Sequence, residues 1–320
     1  MPDLALHIAL LTLGVGVLYY GAEWLVRGSA RLSATLGVSP IVVGLTVVSF
    51  GTSAPELVVS TVAAFGGSPN LALGNVMGSN LANIGLILGL TSIIRPLEVH
   101  ARVVWREAPI MLLVTAALIP LAWDGILSRG DGMILLIALI WYLVFVFQTV
   151  GDEAPEILGE YEDFMRASTA RSTAVHLPDL LLIVAGSGSL VLGGYCIVEG
   201  ALEVASALGI SQVVIGLTVV AVGTSLPELA TSLVAAVRQE ADIAVGNVIG
   251  SNIFNVTAVL GVTSTLKPIE IPAGLIQREM VAVMLLSMLL LPVLRSGWLI
   301  RRWEGSLLLM GYMTAFIFVL

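Results

Sequence analysis

The sequence predicts an all-α membrane protein: ten transmembrane helices arranged as two inverted five-helix repeats, with helices 2 and 7 broken. Three observations predict it. Hydrophobic residues make up 58% of the 320 and charged residues 11%, with a mean hydropathy of +1.02; a water-soluble core of this size does not need so much apolar surface. Runs of about 20 apolar residues, each long enough to cross a bilayer, follow one another along the whole chain. One of them is interrupted at its middle by GTSAPE (51–56), and the interruption returns in the second half as GTSLPE (223–228).

The ten spans lie near 4–26, 38–64, 71–93, 107–123, 132–150, 178–202, 210–237, 242–265, 279–294 and 302–320. The second and seventh are long enough to tilt or to contain a break. The start, MPDLALH, carries no basic residue before its apolar run, which argues for an uncleaved first span over a signal peptide. The longest connection, about 151–177, separates a first unit (1–150) from a second (178–320). It holds Asp152, Glu153, Glu156, Glu160, Glu162 and Asp163, the densest part of a net charge of -8. Such a run reads as a solvated linker, with an ion-sensing or partner-binding segment as the alternative. Cys196 is the one cysteine, so no intrachain disulfide can form and it reads as a small packing residue.

Basic residues orient the spans, because cytoplasmic segments carry the excess of Lys and Arg. With the N-terminus outside, Arg27, Arg31, Arg95, Arg102, Arg106, Arg166, Arg171, Arg238, Arg295, Arg301 and Arg302 fall inside. Only Arg129, Lys267 and Arg278 fall outside. Both termini are therefore expected outside and the acidic linker in the cytoplasm.

The repeat is explicit. GLTVVSFGTSAPELVVS (44–60) recurs as GLTVVAVGTSLPELATS (216–232), an offset of 172, and LALGNVMGSNLANIGLILG (71–89) meets IAVGNVIGSNIFNVTAVLG (243–261) at the same offset. The match runs on through Arg95-Pro96 against Lys267-Pro268, Glu98 against Glu270, and Arg106-Glu107 against Arg278-Glu279. Five spans is an odd number, so the second unit enters the membrane in the opposite sense. Inverted repeats of this kind are typical of secondary transporters, whose sites lie at the midplane where the repeats meet.

The interruptions have a physical reading. Pro55 lacks an N–H and its ring clashes with the carbonyl of Gly51, so the helix opens around Gly51-Thr52-Ser53. Unsatisfied backbone in lipid costs several kcal/mol per group, so a break survives only where something binds it, and a cation supplies what free carbonyls lack. Pro55 also suits the first position of the resumed helix, placing Glu56 in its first turn, where the dipole favours a carboxylate. Pro227, Glu228 and the Gly223 carbonyl repeat the arrangement. A single such site could be a proline kink with an acid that only stabilises packing; two in antiparallel repeats point to function, because buried ionisable groups in membranes are costly.

Ser79 and Asn83, and likewise Ser251 and Asn255, are four residues apart and share a helical face. Their oxygens are hard neutral ligands suited to Na+ or Ca2+. Gly74-xxx-Gly78 and Gly246-xxx-Gly250 read as close-packing devices. Asn75, Asn80, Asn247 and Asn252 fit interhelical hydrogen bonding and ion contact equally. His7, His100 and His176 lie near span ends and form no midplane relay. Glu23, Glu199 and Glu203 sit near span termini, within reach of the interface, with a gating role open to the first two. HExxH, GxSxG and phosphate-loop patterns are missing, and an intramembrane serine hydrolase would need a His or Lys beside Ser53 or Ser225.

GTSxPE followed by GNxxGSNxxN in both halves resembles the sodium/calcium exchanger branch of the cation/Ca2+ exchanger superfamily, in its short prokaryotic form. The likeness covers essentially the whole chain, with the family's alpha-repeats at about 38–90 and 210–262. It implies a central Ca2+ site built from the Glu56 and Glu228 carboxylates and the carbonyls of Thr52 and Thr224. Flanking Na+ sites would use Glu56, Ser79, Ser225 and the Ala221 carbonyl on the outer side. On the inner side they would use Glu228, Ser251, Ser53 and the Ser49 carbonyl. Asn83 and Asn255 would close the middle position. The resemblance also implies that the first and sixth spans slide as a pair across the other eight.

Two positions depart from the pattern. Some archaeal relatives carry aspartate where this chain has Asn255, so the centre here is symmetric, two Glu and two Asn, with a maximum charge of -2. Ala54 replaces the Leu usual before this proline, which Leu226 keeps. The expected activity is electrogenic Na+/Ca2+ antiport by alternating access, exporting Ca2+, by a monomer that needs no cofactor, performs no enzymatic reaction and binds no nucleic acid. The alternatives are a proton-coupled Ca2+ or divalent antiporter, whose branch usually carries a GNxxE-type motif, and, more remotely, a cation channel.

Overall fold

A computed structural model describes residues 2–66, 69–149, 177–207, 223–271 and 276–319. The acidic linker, Ala221 and the first part of the seventh span (210–222) lie outside the described residues. What is described is an all-helical membrane protein. Six helices are long and apolar enough to cross a bilayer, or seven when a bent pair counts as one span.

The first helix, α1 (Pro2–Leu36), runs 35 residues, well past the span edge expected near residue 26. Arg27 and Arg31 are carried on this extension rather than in a loop. Arg27 meets Glu23 one turn back at 2.6 Å, and Arg31 reaches Asp179 at 3.4 Å. Gly37, at φ +65°, ends the helix, and Val38 N–H closes onto the Ser33 carbonyl at 3.1 Å. This is the left-handed C-terminal stop that glycine allows.

The second span is the bent pair: α2 (Pro40–Thr52) and α3 (Ala54–Phe65), turned 41° at Ser53. α4 (Pro69–Leu81) continues through a π-helical segment, Ala82–Ile87, into Leu88–Ile94. α5 (Val103–Leu121) and α6 (Arg129–Gln148) follow, α6 starting on a reciprocal Ser128–Asp131 capping box. In the second half come α7 (Leu177–Ala207), α8 (Leu226–Val237) and α9 (Ala241–Leu266), the last with its own π segment at Asn255–Leu260. α10 (Val281–Arg295, entered through a π turn at Ile276–Met280) and α11 (Arg302–Val319) complete the chain.

Four two-residue strands join the loops across the halves. β1 (Leu97–Glu98) pairs antiparallel with β4 (Leu299–Ile300), and β2 (Ile126–Leu127) with β3 (Ile269–Glu270). Thus each half lends one strand to each ladder.

Burial identifies the centre. The apolar window of α9 is 94% buried and that of α4 72%, against 22% for α6 and 28% for α7. α4 and α9 are therefore walled in by protein, while α6 and α7 face lipid. Arg102, counted in the sequence as a loop cation, is in fact buried. It bonds Glu107 Oε1 at 3.0 Å and, from α5's approach, the Val146 carbonyl and Thr149 hydroxyl at the end of α6, both at 3.1 Å.

α1 and α7 lie antiparallel along one another, and the seam is made of glycine. A Cβ on Gly21 would stand 3.0 Å from the Gly186 carbonyl, and one on Gly186 would stand 2.8 Å from the Gly21 carbonyl. Gly14 and Gly193 repeat this at 3.0 and 2.9 Å, Gly28 approaches the Asp179 carbonyl at 2.9 Å, and Gly200 the His7 carbonyl at 2.9 Å. The contacts recur every seven residues, so the two backbones touch along the whole crossing. Without a hydrophobic drive between helices in lipid, such close packing is what holds them.

Glu23 does not reach the interface as the sequence suggested. It is 5% exposed and takes Arg27 of its own helix and Arg238, just past the end of α8, as partners. This ion pair is the polar tie between α1 and α8, whereas Arg31–Asp179 stays within the α1–α7 pair.

Candidate ion-binding site

The break in the second span follows from its sequence. Ser53 leaves helical geometry (φ −80°, ψ 3°), with Pro55 in the first turn of α3. Ser53 N–H still reaches the Ser49 carbonyl at 2.9 Å, and Leu57 N–H reaches the Ser53 carbonyl at 3.2 Å. Between these two bonds lies the carbonyl of Gly51, whose partner four residues on is a proline with no N–H to return. In the second half Ser225 has the same geometry (φ −89°, ψ 5°), and Leu229 N–H bonds its carbonyl at 3.0 Å. Glu56 and Glu228 occupy the first turns of α3 and α8, and both are 0% exposed.

The two breaks exchange hydroxyls. Ser79 and Ser225 donate to Glu56 Oε1 at 3.4 and 3.5 Å, and Ser53 donates to Glu228 Oε1 at 3.4 Å. Each carboxylate thus receives a serine from the opposite half. Ser251 lies against the Thr52 hydroxyl at 3.3 Å. The Ser49 hydroxyl donates toward the carbonyls of Gly44 (2.7 Å) and Asn247 (3.1 Å).

Asn75 and Asn247 are structural ties. Asn247 Nδ2 donates to Ser232 (3.0 Å) and to the Glu228 carbonyl (3.4 Å), and its Oδ1 accepts from Thr52 at 3.0 Å. Asn75 does the same toward Ser60 (3.0 Å), the Glu56 carbonyl (3.4 Å) and Thr224 (3.2 Å). They pin the threonines of one break to the helix that carries the other half's second motif. Gly246 and Gly250 permit the approach of α9 to α2, where added Cβ atoms would stand 2.9 Å from the Ile41 carbonyl and 2.7 Å from that of Leu45. The residues 172 positions on from that α2 stretch lie outside the described residues.

Several buried polar atoms remain unmatched, and four of them belong to the repeated motifs. Among the described residues, Glu56 Oε2, Glu228 Oε2, Asn83 Oδ1 and Asn255 Oδ1 are all buried without a hydrogen-bond partner. A buried acceptor left alone costs about 1–3 kcal/mol, more when charged. Two of these oxygens come from each half, at sequence-equivalent positions, and carboxylate and amide oxygens are hard donors. Of the other expected ligands, Thr52, Ser53, Ser79, Ser225, Ser251, Ser49 and Thr224 are buried around them, and Ala221 lies outside the described residues.

The comparisons agree with this chemistry. A family model described as "Sodium/calcium exchanger protein" matches residues 6–148 and 179–320. The sodium/calcium exchanger MaX1 of Methanosarcina acetivorans is 31% identical, over 99% of both chains. The putative antiporter CaxA of Alkalimonas amylolytica is 38% identical, over 93% of this chain and 94% of that one. Among solved structures, the sodium-calcium exchanger NCX_Mj soaked with Na+ and Ca2+ superposes with a TM-score of 0.82, at 35% identity and 98% coverage of both chains.

Proposed function

Since the chain belongs to the sodium/calcium exchanger protein family, an exchanger and not an enzyme, we propose that it is an electrogenic Na+/Ca2+ antiporter that exports Ca2+. The observation that carries this reading is the set of four unpartnered buried oxygens on Glu56, Glu228, Asn83 and Asn255. In the proposed site these oxygens and the carbonyls of Thr52 and Thr224 hold Ca2+. Glu56, Ser79, Ser225 and the Ala221 carbonyl hold Na+ on one side; Glu228, Ser251, Ser53 and the Ser49 carbonyl hold it on the other.

The coupling follows from charge. Two carboxylates at the bilayer midplane are costly by several kcal/mol when bare. One Ca2+ neutralises both, and so do two Na+; a third Na+ leaves the site net positive. Loaded sites cross the barrier and bare ones do not, which enforces exchange over leak. With three Na+ per Ca2+, the inside-negative potential assists Ca2+ export.

The proposed architecture is ten helices in two inverted units, 1–150 and 178–320, joined by a cytoplasmic linker at 151–177. Each carries an alpha-repeat (38–90 and 210–262), and both termini face outside in a prokaryotic inner membrane. The exchange of strands between β1–β4 and β2–β3 supports a two-fold relation of the units. α1 and α7 are the moving pair, bound to each other by backbone and tied to α8 through Glu23 and Arg238. Access to the two sides alternates as this pair slides, and a monomer contains all the parts required.

The test is Ca2+ uptake into proteoliposomes. An outward Na+ gradient is expected to drive uptake, with a membrane-potential dependence, and a pH gradient alone is not. Uptake driven by the pH gradient alone would replace Na+ coupling with proton coupling.

A further inference from the structure

An amide presents oxygen on one side and N–H2 on the other, so an asparagine serves a cation only while its orientation is fixed. The proposed site uses Asn83 and Asn255, and the inference rests on that reading. Asn255 Nδ2 donates to Asn80 Oδ1 at 3.0 Å, and Asn83 Nδ2 donates to Asn252 Oδ1 at 3.5 Å. Both bonds cross between α4 and α9. In each case the nitrogen is engaged behind the residue, and the Oδ1 atom that remains is the one left buried and unpartnered.

We propose that Asn80 and Asn252 are positioning residues that hold Asn255 and Asn83 with their oxygens turned into the ion site. Asn80 is itself oriented from the backbone, since its Nδ2 donates to the Asn252 carbonyl at 3.3 Å. The order of control therefore runs from the α9 backbone, through Asn80, to Asn255. Asn252 Nδ2 has no partner among the described residues, so the arm from Asn252 to Asn83 is the looser of the two. All four asparagines are at most 1% exposed, which leaves no bulk water to reorient them. The π segments contribute as well. Asn83 lies in Ala82–Ile87 and Asn255 opens Asn255–Leu260, where the wider turn shifts the side chain relative to an α-helical course.

A purely structural role, gluing α4 to α9, makes a different prediction, and a double-mutant cycle separates the two. A carboxylate has an oxygen on either side, so an aspartate at 255 needs no orienting partner. The measurement is Ca2+ affinity of the purified full chain by isothermal titration. Asn80→Leu is expected to weaken Ca2+ binding by about 10–100-fold, the range typical of residues that orient metal ligands. In the Asn255→Asp background the same substitution should cost nothing, so that the double variant binds like Asn255→Asp alone. Parental affinity in Asn80→Leu, or an equal loss in both backgrounds, would overturn the proposal. Failure of the underlying site reading looks different: Asn255→Leu would then bind Ca2+ as the parent does.

Should Asn80→Leu not fold, the second arm decides. Asn252→Leu should be insensitive in the Asn83→Asp background and remain deleterious in the Asn255→Asp background. Loss in both backgrounds, or in neither, overturns the proposal.

Discussion

The seam between α1 and α7 and the centre between α4 and α9 are both places where helices from opposite halves touch, and they are made of opposite materials. Along the seam the contacts are glycine to carbonyl, repeated every seven residues. At the centre, Asn80, Asn83, Asn252 and Asn255 bond one another across the crossing. Amide hydrogen bonds orient individual oxygens; the glycine contacts mesh two backbones without orienting any side chain. On the proposed mechanism, the difference separates the part that keeps its geometry from the part that travels. Substitutions in the centre should therefore change affinity, and substitutions in the seam should change rate.

The largest effect is expected at the carboxylates. Glu56→Gln or Glu228→Gln removes half of the neutralising charge and should abolish Ca2+ transport in proteoliposomes, while size-exclusion chromatography shows a folded protein. Near-normal flux in either variant would break the comparison at its centre. Next comes the seam. Gly186→Leu places a Cβ 2.6 Å from the Leu25 N–H group, a contact that must push the helices apart. It should slow Ca2+ flux severely while equilibrium Ca2+ affinity of the folded fraction stays at the parental level; a matching loss of affinity would show that seam and centre are not separable.

A smaller effect belongs to Arg238, the tie from α8 to Glu23. Arg238→Gln should lower stability by about 0.5–1 kcal/mol, because the arginine is partly exposed and Glu23 keeps Arg27. A thermal melt reads it, and a shift of many degrees would make the pair a main structural support of α1 rather than a minor tie. Smallest of all, Leu158→Cys in a Cys196-free background should leave flux unchanged and react with impermeant thiol reagents only from the cytoplasmic side. Labelling from outside would reverse which end of the seam faces the cell.

Much of the centre is legible in the sequence because it is written twice. GTSAPE and GTSLPE, 172 residues apart, point to Glu56 and Glu228 without any knowledge of the fold, and the i, i+4 spacing of Ser79 with Asn83 points to the second motif. The roles of Asn75, Asn80, Asn247 and Asn252 are not legible. Each of these amides except Asn252 bonds a side chain 149 to 195 residues away in the other half, Asn252 accepts from Asn83 at 169, and local pattern carries no trace of that. Glu23 escapes for the same reason, since Arg238 is 215 residues distant. Arg102 counts correctly as a basic residue near a span end, yet its buried bonds to Glu107 and the end of α6 depend on packing. The glycine seam does leave a signal, the seven-residue spacing of Gly14, Gly21 and Gly28 and of Gly186, Gly193 and Gly200. Each glycine alone looks like any other in a membrane helix, and only the second helix reveals that the two series mesh.

That meshing has a mechanical corollary. Seven residues of helix advance about 10.5 Å, so the α1–α7 pair behaves like two racks whose teeth share one pitch. A slip of one helix against the other by less than a full tooth would drive leucine or isoleucine side chains into the opposing backbone. The pair therefore has detents and no intermediate settings. On the proposed mechanism, α1 and α7 would therefore shift as one body.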